Sequence, residues 1–407
     1  MAPHFCNRLL LAVVIPALLS HFAFANDLHT PTTTIPDSYF GLHIHHLTYP
    51  VPTTPLAITP WPSMPLPTWR LWDAYVRWPE LEPNKGQWQF ETLDHYVSVA
   101  QAHHTSLLLP LGMTPLWAAA RPQTNAEPKN MDDWRTFVKT VVSRYEGRIQ
   151  AYEVWNEPNL QDFWSGTTDQ MLALTKEASG IIHSIDPQAI LVSPSATTAY
   201  GIPWLGEFLK KGGGQFVDVI GFHFYVTPGL PEDLLPVIQR VRQVMSESGS
   251  GNKPLWNTET GWLAPAQFDS EEVAAGILAR AYILSWAAGV QRFYWYAWDN
   301  RSLAIVTYKE AEHTVTPAGN AYKVIQQWLV GAKMDGCVES AEHSWTCELS
   351  RSGKKQWIVW NPRGNLKFDV PPAWHVKSVA PLLHEPSSLK GSSIEIGPAP
   401  TLLTGRS

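Results

Sequence analysis

The sequence predicts an α/β protein, a (β/α)8 TIM barrel followed by a small C-terminal β region. From about residue 38 onward, short apolar runs alternate with longer amphipathic stretches, which is the pattern of repeated βα units. Eight such runs precede Gly331, enough for one complete barrel. The structural alternative is an open doubly wound sheet, but no GxGxxG sequence follows any of the runs.

The strands and helices of the barrel can be assigned in chain order. The eight predicted strands are Phe40–His45, Trp69–Val76, Ser106–Leu111, Ile149–Trp155, Ile190–Ser193, Val217–Tyr225, Pro254–Thr258 and Gln291–Trp298. Helices are predicted where amphipathic segments follow polar residues that can cap them. The clearest of these helices are Met131–Tyr145, Thr167–Ile185, Asp269–Ala288 and Pro317–Gly331.

After Gly331 the sequence pattern changes from alternating strand-like and helix-like segments to short strand-like pieces. We therefore predict a barrel over residues 26–333 and a β-rich domain over 334–407. Its strand-like pieces, separated by Gly, Pro, Asn and Ser, are Ser344–Leu349, Gln356–Trp360, Leu366–Val370 and Val376–Val379. The region is shorter than an ordinary sandwich domain of roughly 100 residues, so we expect it to pack against the barrel. Cys337 and Cys347 lie in this region and are predicted to form a disulfide. Two free buried thiols are the alternative.

The first 25 residues resemble a secretory signal. Arg8 precedes an apolar run from Leu9 to Leu19, and small residues occupy the first and third positions of Ala23-Phe24-Ala25. Pro16 interrupts the run well before the roughly 18 apolar residues that a membrane-spanning helix needs. We therefore predict cleavage after Ala25 and a secreted or periplasmic protein that is not held in a membrane after cleavage.

The composition excludes some classes of function and favours one kind of ligand. With 44% hydrophobic and 16% charged residues, the chain is too apolar to be disordered. Its net charge is −6 and it has no basic run, so nucleic acid is not an expected partner. Twenty Trp, 13 Tyr and 14 Phe supply flat apolar faces that suit sugar rings. For any single ring, the alternative is that it fills the core.

Two carboxylates follow strands four and seven of the predicted barrel. Glu157 lies in Trp155-Asn156-Glu157-Pro158, and Glu259 lies in Asn257-Thr258-Glu259-Thr260. Reactive groups in such barrels sit at the carboxyl ends of the strands, so both acids should face one cleft. Cleavage of a glycosidic bond needs such a pair, one acid to protonate the leaving oxygen and one to attack the anomeric carbon. Taken alone, either glutamate could be a solvated loop charge or a residue at a helix N-terminus.

These motifs carry a resemblance to a known family. WNEP at 155–158 and TETGW at 258–262 resemble the motifs of the retaining glycoside hydrolases of clan A, and within that clan of family 39. WRLWD at 69–73 and TPLWA at 114–118 are similar to further segments of the family. The resemblance extends from about Gly41 to Trp328.

The resemblance implies a role for each matching residue. Glu157 matches the general acid/base and Glu259 the nucleophile. The substrate-binding positions it implies are Asn156 at the sugar 2-hydroxyl, Arg70, His223 and Tyr225 near the nucleophile, and Trp298 as an aromatic floor. From their places at the strand ends, Trp262 and either His45 or His46 are further candidates for contact with sugar. For the histidines, the equal alternative is that they are buried, hydrogen-bonded imidazoles.

The expected chemistry is hydrolysis of an oligosaccharide or polysaccharide, with neither a metal nor an organic cofactor. Retention requires the carboxyl groups of Glu157 and Glu259 to lie about 5–5.5 Å apart. An Arg or Tyr hydroxyl bonded to Glu259 is expected to keep it ionised, while burial raises the pKa of Glu157. The β linkage is implied by the resemblance only. The sequence does not distinguish internal from terminal cleavage, or hydrolysis from transfer, and the oligomeric state is not predicted.

Two other functions compete with this hypothesis. The first is a non-catalytic barrel that binds carbohydrate in the same aromatic cleft. The second is a metal-dependent hydrolase of the amidohydrolase type, because His43-Ile44-His45 follows strand one as the His-x-His of such sites does. That site also needs a Lys on strand four and a His on strand five, and this sequence has neither in those places.

Overall fold

The computed structural model describes residues 28–47, 59–300 and 302–405. The predicted signal peptide at residues 1–25 lies outside the described residues. None of the helices within the described ranges combines the length and the apolar character needed to cross a membrane.

Eight parallel strands of the described chain form a closed barrel, as predicted. They are β1 Phe40–His43, β2 Thr68–Arg70, β3 Ser106–Leu111, β4 Ala151–Val154, β5 Ile190–Val192, β6 Ile220–His223, β7 Leu255–Thr260 and β8 Val290–Trp295. β1 pairs with both β2 and β8. The ring closes between β5 and β6, where Val192 bridges Val219 and the short strand Ala196–Thr197 pairs with β6. The carboxyl ends of all these strands therefore open on one face.

Helices connect the strands on the outside of the barrel. They are α1 Trp78–Leu81, α2 Glu91–Ala102, α3 Met131–Tyr145, α4 Thr168–Ile185, α5 Thr198–Lys210, α6 Leu234–Glu247, α7 Glu271–Ala287 and α8 Pro317–Leu329. Polar caps explain where several begin: Asn130, Thr167, Ser270 and Thr316 each accept a hydrogen bond from a backbone N–H in the first turn. The predicted starts of these four helices agree with the structure to within two residues.

Strand β2 is shorter than the sequence predicts. The apolar run Trp69–Val76 indicated one strand, but the ladder stops at Arg70. Asp73 and Tyr75 have φ values of 55° and 59°, which lie in the left-handed region and cannot continue a strand. The chain instead curls over the end of the barrel, and this brings Asp73 to the cleft.

The C-terminal β region is a two-layer structure attached to the barrel. Its longer strands are β9 Lys333–Glu339, β10 Trp345–Arg351, β11 Lys354–Trp360, β12 Leu366–Asp369, β13 Val376–Pro381, β14 Ser393–Ile396 and β15 Thr401–Gly405. The main antiparallel sheet has the order β9-β10-β11-β15-β13, with Ser387–Ser388 at its edge, and β12 pairs with β14. Cys337 and Cys347 lie opposite one another in β9 and β10 and form the predicted disulfide.

The two faces of this sheet have different neighbours. Leu349, Ile358 and Trp360 face inward and belong to the same hydrophobic core as the barrel. Trp357 and Leu403 face outward into a small second core. The sheet is thus bound to the barrel by apolar burial, as its short length suggested. The division at residues 333 and 334 stays a prediction, although β9 begins at Lys333.

Helix α7 is one of the barrel elements that contact the C-terminal region. From Ala275 to Ala287 every residue is buried, as expected for a helix that is covered on all sides. Gly276 explains the close approach on one side, because a Cβ there would lie 2.6 Å from the backbone oxygen of Pro398. Any larger residue at this position would push the loop before β15 away from the barrel.

A buried ion pair joins the barrel to the C-terminal region. The Arg280 Nη1 on α7 lies 2.9 Å from both carboxylate oxygens of Glu232, and Trp360 Nε1 on β11 donates to Glu232 over 2.8 Å. Arg280 is fully buried, and this burial lowers the pKa of its guanidinium. Glu232 is therefore the partner that makes the buried charge tolerable.

Replacing Glu232 with alanine is expected to lower the free energy of unfolding by about 3–5 kcal/mol, because Arg280 is left charged and unpaired inside the protein. Urea unfolding of the full chain measures the change. Glu272→Ala is the matched control: Glu272 contacts His384 across the same interface, but both side chains are more than half exposed, so the cost should be about 0–1 kcal/mol. Equal losses in the two variants would contradict the assignment.

Candidate active site

The two predicted acids lie at the carboxyl ends of β4 and β7. β4 ends at Val154 and Glu157 follows three residues later, whereas Glu259 is still within β7. Trp155 and Glu157 adopt φ values of 67° and 45°, a left-handed conformation that is costly for side chains of this size. Glu157 N donates to Ser195 O over 2.9 Å and holds the turn in place. The strained backbone directs the carboxyl group of Glu157 toward β7.

The distances agree with a retaining pair. One carboxylate oxygen each of Glu157 and Glu259 and the Nδ1 of His223 all lie within 4.8 Å of one another. His223 Nδ1 is 2.9 Å from Glu157 Oε1 and 4.0 Å from Glu259 Oε1. The closest oxygens of the two acids are thus slightly nearer than the 5–5.5 Å typical of carboxyl separations in retaining glycosidases. This separation is well below the roughly 6.5–9.5 Å at which an inverting enzyme places a water beside the sugar.

Glu259 is held from both sides. Arg70 Nη1 donates to Glu259 Oε2 over 2.8 Å, and the Tyr225 hydroxyl donates to Glu259 Oε1 over 2.9 Å. Both donors were predicted from the sequence, and both favour the ionised carboxylate. Burial raises the pKa of the Tyr225 hydroxyl well above its usual range, so Tyr225 stays a donor.

Arg70 organises three acceptors at once. Besides Glu259, its Nε donates to Glu153 Oε2 over 2.6 Å and its Nη2 donates to Asn156 Oδ1 over 2.8 Å. Arg70 and Glu153 are both completely buried. The bond to Asn156 fixes the orientation of that amide and leaves its nitrogen available as a donor. One guanidinium from β2 thus sets the positions of side chains on β4, directly after β4 and on β7.

Burial changes the ionisation of both acids. It raises the pKa of Glu157 to about 7, with the positive charge of Arg70 acting against it. It also raises the pKa of Glu259 to about 7, with His223 opposing the shift and the negative charge of Glu157 adding to it. The sequence led us to expect a raised pKa at Glu157 alone. That expectation was wrong for Glu259, because the loops cover Glu259 as deeply as Glu157.

The two acids therefore titrate as a coupled pair. The first negative charge goes to Glu259, which accepts from Arg70 and Tyr225, and the remaining proton goes to Glu157. Burial lowers the pKa of His223 to about 4, so this imidazole is neutral beside Glu157. The pair is arranged to hold one proton and one charge near neutral pH, the state that a nucleophile and an acid require.

Trp262 and Trp298 lie inside the wall of the barrel, each about 1% exposed. Trp262 stacks on Trp295, and its Nε1 donates to Gly229 O. Trp298 stacks on Tyr308, and its Nε1 donates to Pro60 O. Their contact with a sugar ring stays a prediction that this packing does not favour.

The histidines after β1 have protein partners. His43 Nε2 lies 3.1 Å from Thr258 O, and His45 Nδ1 lies 3.1 Å from Asn300 Nδ2. Among the described residues, neither joins two other possible metal ligands in one cluster. The sequence hypothesis of a metal site on His43 and His45 therefore finds no support in the geometry. His45 is nearly buried and its Nε2 has no partner in the described chain, which keeps it a candidate for a sugar hydroxyl.

Two residues of the cleft were missed from the sequence. The Tyr296 hydroxyl donates to Asp73 Oδ2 over 2.7 Å, and its ring lies 4.7 Å from the ring of His45. Both Tyr296 and Asp73 are half-buried and close enough to Glu259 to influence its surroundings electrostatically. Tyr296 stands two residues before Trp298, where the aromatic floor was expected. Asp73 belongs to the WRLWD motif, but its contact with β8 has no local sequence signal.

Fold and site together define a (β/α)8 barrel with paired carboxylates on β4 and β7, the class in which clan A glycoside hydrolases fall. The sequence model described as glycosyl hydrolases family 39 matches residues 117–293, a segment that contains both acids. This match confirms the resemblance to family 39 that the sequence motifs indicated.

Comparisons with individual proteins agree with the family match. The chain is 35% identical over 108 residues to a beta-xylosidase of Caldicellulosiruptor saccharolyticus, covering 25% of this chain and 22% of that protein. It is 26% identical over 205 residues to a beta-xylosidase of Geobacillus stearothermophilus, covering 42% and 40%. The alignments thus span less than half of these relatives.

Solved structures show the same fold. A family 39 glycoside hydrolase from Bacteroides cellulosilyticus superposes with a TM-score of 0.74 at 16% identity, covering 91% of this chain and 81% of that one. A family 39 beta-xylosidase from Caulobacter crescentus superposes with a TM-score of 0.60 at 17% identity, covering 83% and 89%. With 91% of this chain covered, the first of these superpositions extends beyond the barrel into the C-terminal β region.

Proposed function

We propose that this chain is a secreted retaining glycoside hydrolase that cleaves β-linked oligosaccharide or polysaccharide by double displacement. The observation that carries the proposal is the pair of carboxyl groups of Glu157 and Glu259, which face each other within 4.8 Å at the mouth of the barrel. Their different hydrogen-bond partners support different roles, because Glu259 accepts from a cation and a phenol while Glu157 contacts a neutral imidazole.

In the first step, a carboxylate oxygen of Glu259 attacks the anomeric carbon and the bond to the leaving oxygen breaks. Glu157 gives its proton to that oxygen, so the aglycone departs as a neutral alcohol. Arg70 and Tyr225 orient the attacking carboxylate. The amide nitrogen of Asn156, whose oxygen is held by Arg70, is in place to donate to the sugar 2-hydroxyl.

In the second step, Glu157 is a carboxylate and acts as a base. It removes a proton from a water molecule, and the oxygen of that water attacks the anomeric carbon from the face the aglycone has left. The bond to Glu259 breaks, and the sugar leaves with its original configuration. A sugar hydroxyl in place of water gives transglycosylation by the same route.

For the substrate we propose β-xylosides and xylan-like polysaccharides first, because the relatives are named beta-xylosidases and endo-1,4-beta-xylanases. Internal cleavage of a polymer is the mode that fits a secreted, tryptophan-rich protein. Secretion itself rests on residues 1–25. N-terminal sequencing of protein recovered from outside the cytoplasm is expected to begin at Asn26.

The test is a screen of aryl β-glycosides and polysaccharides with the mature chain, followed by sizing of the products. Turnover of an aryl β-xyloside and release of xylan fragments of mixed length support the proposal. Release of single sugars alone would support the proposed hydrolase activity but overturn the proposal of internal cleavage. Binding of oligosaccharide without any turnover of the whole panel would favour the non-catalytic barrel instead.

A further inference from the structure

A second cavity lies on the C-terminal β region, on the face of the sheet that points away from the barrel. Its volume is about 830 Å³, within the roughly 300–1,000 Å³ of ligand sites. The end of β10, the start of β11 and the segment 373–377 form its walls. The inner face of the same sheet is packed against the barrel, so this outer groove is separate from the cleft that holds Glu157 and Glu259.

The groove is positively charged in a protein that is negatively charged overall. Lys354, Lys355 and Lys377 line it against one carboxylate, Glu348, while the whole chain has a net charge of −6. Glu348 is occupied, since it pairs with Lys355 and accepts from Trp357 Nε1 over 3.2 Å. Lys354 and Lys377 are exposed and form no ion pair with any residue in the described ranges. Two cationic side chains are therefore available to an anion.

Aromatic side chains give the groove a rigid wall. The indole of Trp374 stacks in parallel on that of Trp357, with ring centroids 4.5 Å apart and planes 4° from parallel. Trp357 is buried in the outer core, whereas Trp374 is only half-buried and lines the groove beside Lys377. An apolar ring edge next to cationic side chains suits the CH-rich surface of a sugar that carries carboxylates.

We propose that this groove binds an anionic polysaccharide. It thereby holds the protein on an acidic glycan while the barrel cleaves the same glycan at another point. The choice of a glycan over another polyanion rests on the proposed function of the barrel. Charge complementarity supports the acidic class, because an uncharged chain would leave Lys354 and Lys377 without partners. The site adds affinity for a polymer and contributes nothing to cleavage of a small aryl glycoside.

The experiment measures binding of the full mature chain to polygalacturonate by titration calorimetry, with neutral dextran for comparison. Both polymers are α-linked, so a β-glycosidase does not consume them. We expect binding to polygalacturonate alone, weakening with added salt because the charges are exposed. Lys354→Glu with Lys377→Glu is expected to weaken it about tenfold or more, and Trp374→Ala is expected to weaken it without altering its salt dependence.

The matched control is Lys139→Glu with Lys210→Glu, which changes the net charge equally at exposed positions on α3 and α5. This control should bind as the wild type does, and both double variants should turn over an aryl glycoside at the wild-type rate. Equal weakening by the control, unchanged binding in the groove variant, or no binding to polygalacturonate would overturn the proposal. Equally tight binding of single-stranded DNA would overturn the assignment to a glycan. An inactive barrel with intact groove binding would instead count against the proposed function alone.

Discussion

Glu259→Ala is expected to turn over an aryl β-glycoside on the order of 10⁴-fold more slowly than the wild type, a loss comparable to removal of an essential catalytic group. The structure gives the reason. Glu259 is the acid that Arg70 and Tyr225 orient, whereas Glu153, the other carboxylate bonded to Arg70, is completely buried. With alanine, the anomeric carbon loses its attacking atom and the covalent intermediate cannot form.

Azide should restore part of this activity and identify the missing role. The anion can occupy the space of the lost carboxylate beside Arg70 and attack the anomeric carbon directly. This is a single displacement, so the glycosyl azide should have inverted configuration, which proton NMR of the product measures. Failure of rescue together with near-normal turnover would remove Glu259 from the role of nucleophile.

A control for this loss must come from the same face of the barrel. Glu127 follows β3 and pairs with Arg121, and no hydrogen bond or ion pair of the described residues joins it to Glu157 or Glu259. Glu127→Ala is expected to keep near wild-type turnover, because a partly exposed ion pair contributes about 0–1 kcal/mol. A comparable loss in both variants would point to general damage to the barrel loops.

The sequence alone was sufficient to predict the barrel and the positions of its two acids. Alternating runs set the strands, and the rule that reactive groups follow strands selected Glu157 and Glu259. The resemblance then placed Arg70 and Tyr225 beside Glu259, and in the structure both donate hydrogen bonds to it. Each of these inferences needed only local sequence and the order of elements.

The remaining features depend on contacts that join distant strands. Glu153 is a buried acid inside an apolar strand, and it is stabilised there by Arg70 from β2 and by the hydroxyls of Ser195 and Thr258. Asp73 meets Tyr296 only because the chain leaves β2 in a left-handed turn. Trp262 and Trp298 were predicted to contact sugar but are buried. Their local sequence does not show whether loops will cover an indole. The raised pKa of Glu259 likewise follows from its burial in the folded protein.

Glu157→Gln is expected to reduce turnover about 10²–10⁴-fold on glycosides with poor leaving groups, the usual contribution of a general acid. Glutamine keeps the size of the side chain but cannot protonate the leaving oxygen. A dinitrophenyl glycoside needs little such help, so its first step should be nearly unaffected. Rate constants for a series of leaving groups measure the difference, and equal losses across the series would contradict the role.

The pH profile gives an independent test of the same residue. Because burial raises the pKa of Glu157 to about 7, its proton is present below that pH and is lost as the pH rises through it. The kcat/KM of the wild type should therefore fall above about pH 7. Glu157→Gln should lack this fall on an activated substrate, while the decrease at low pH, set by protonation of Glu259, should persist. A basic limb that survives the substitution would mean that another group supplies the proton, and would contradict the role of Glu157.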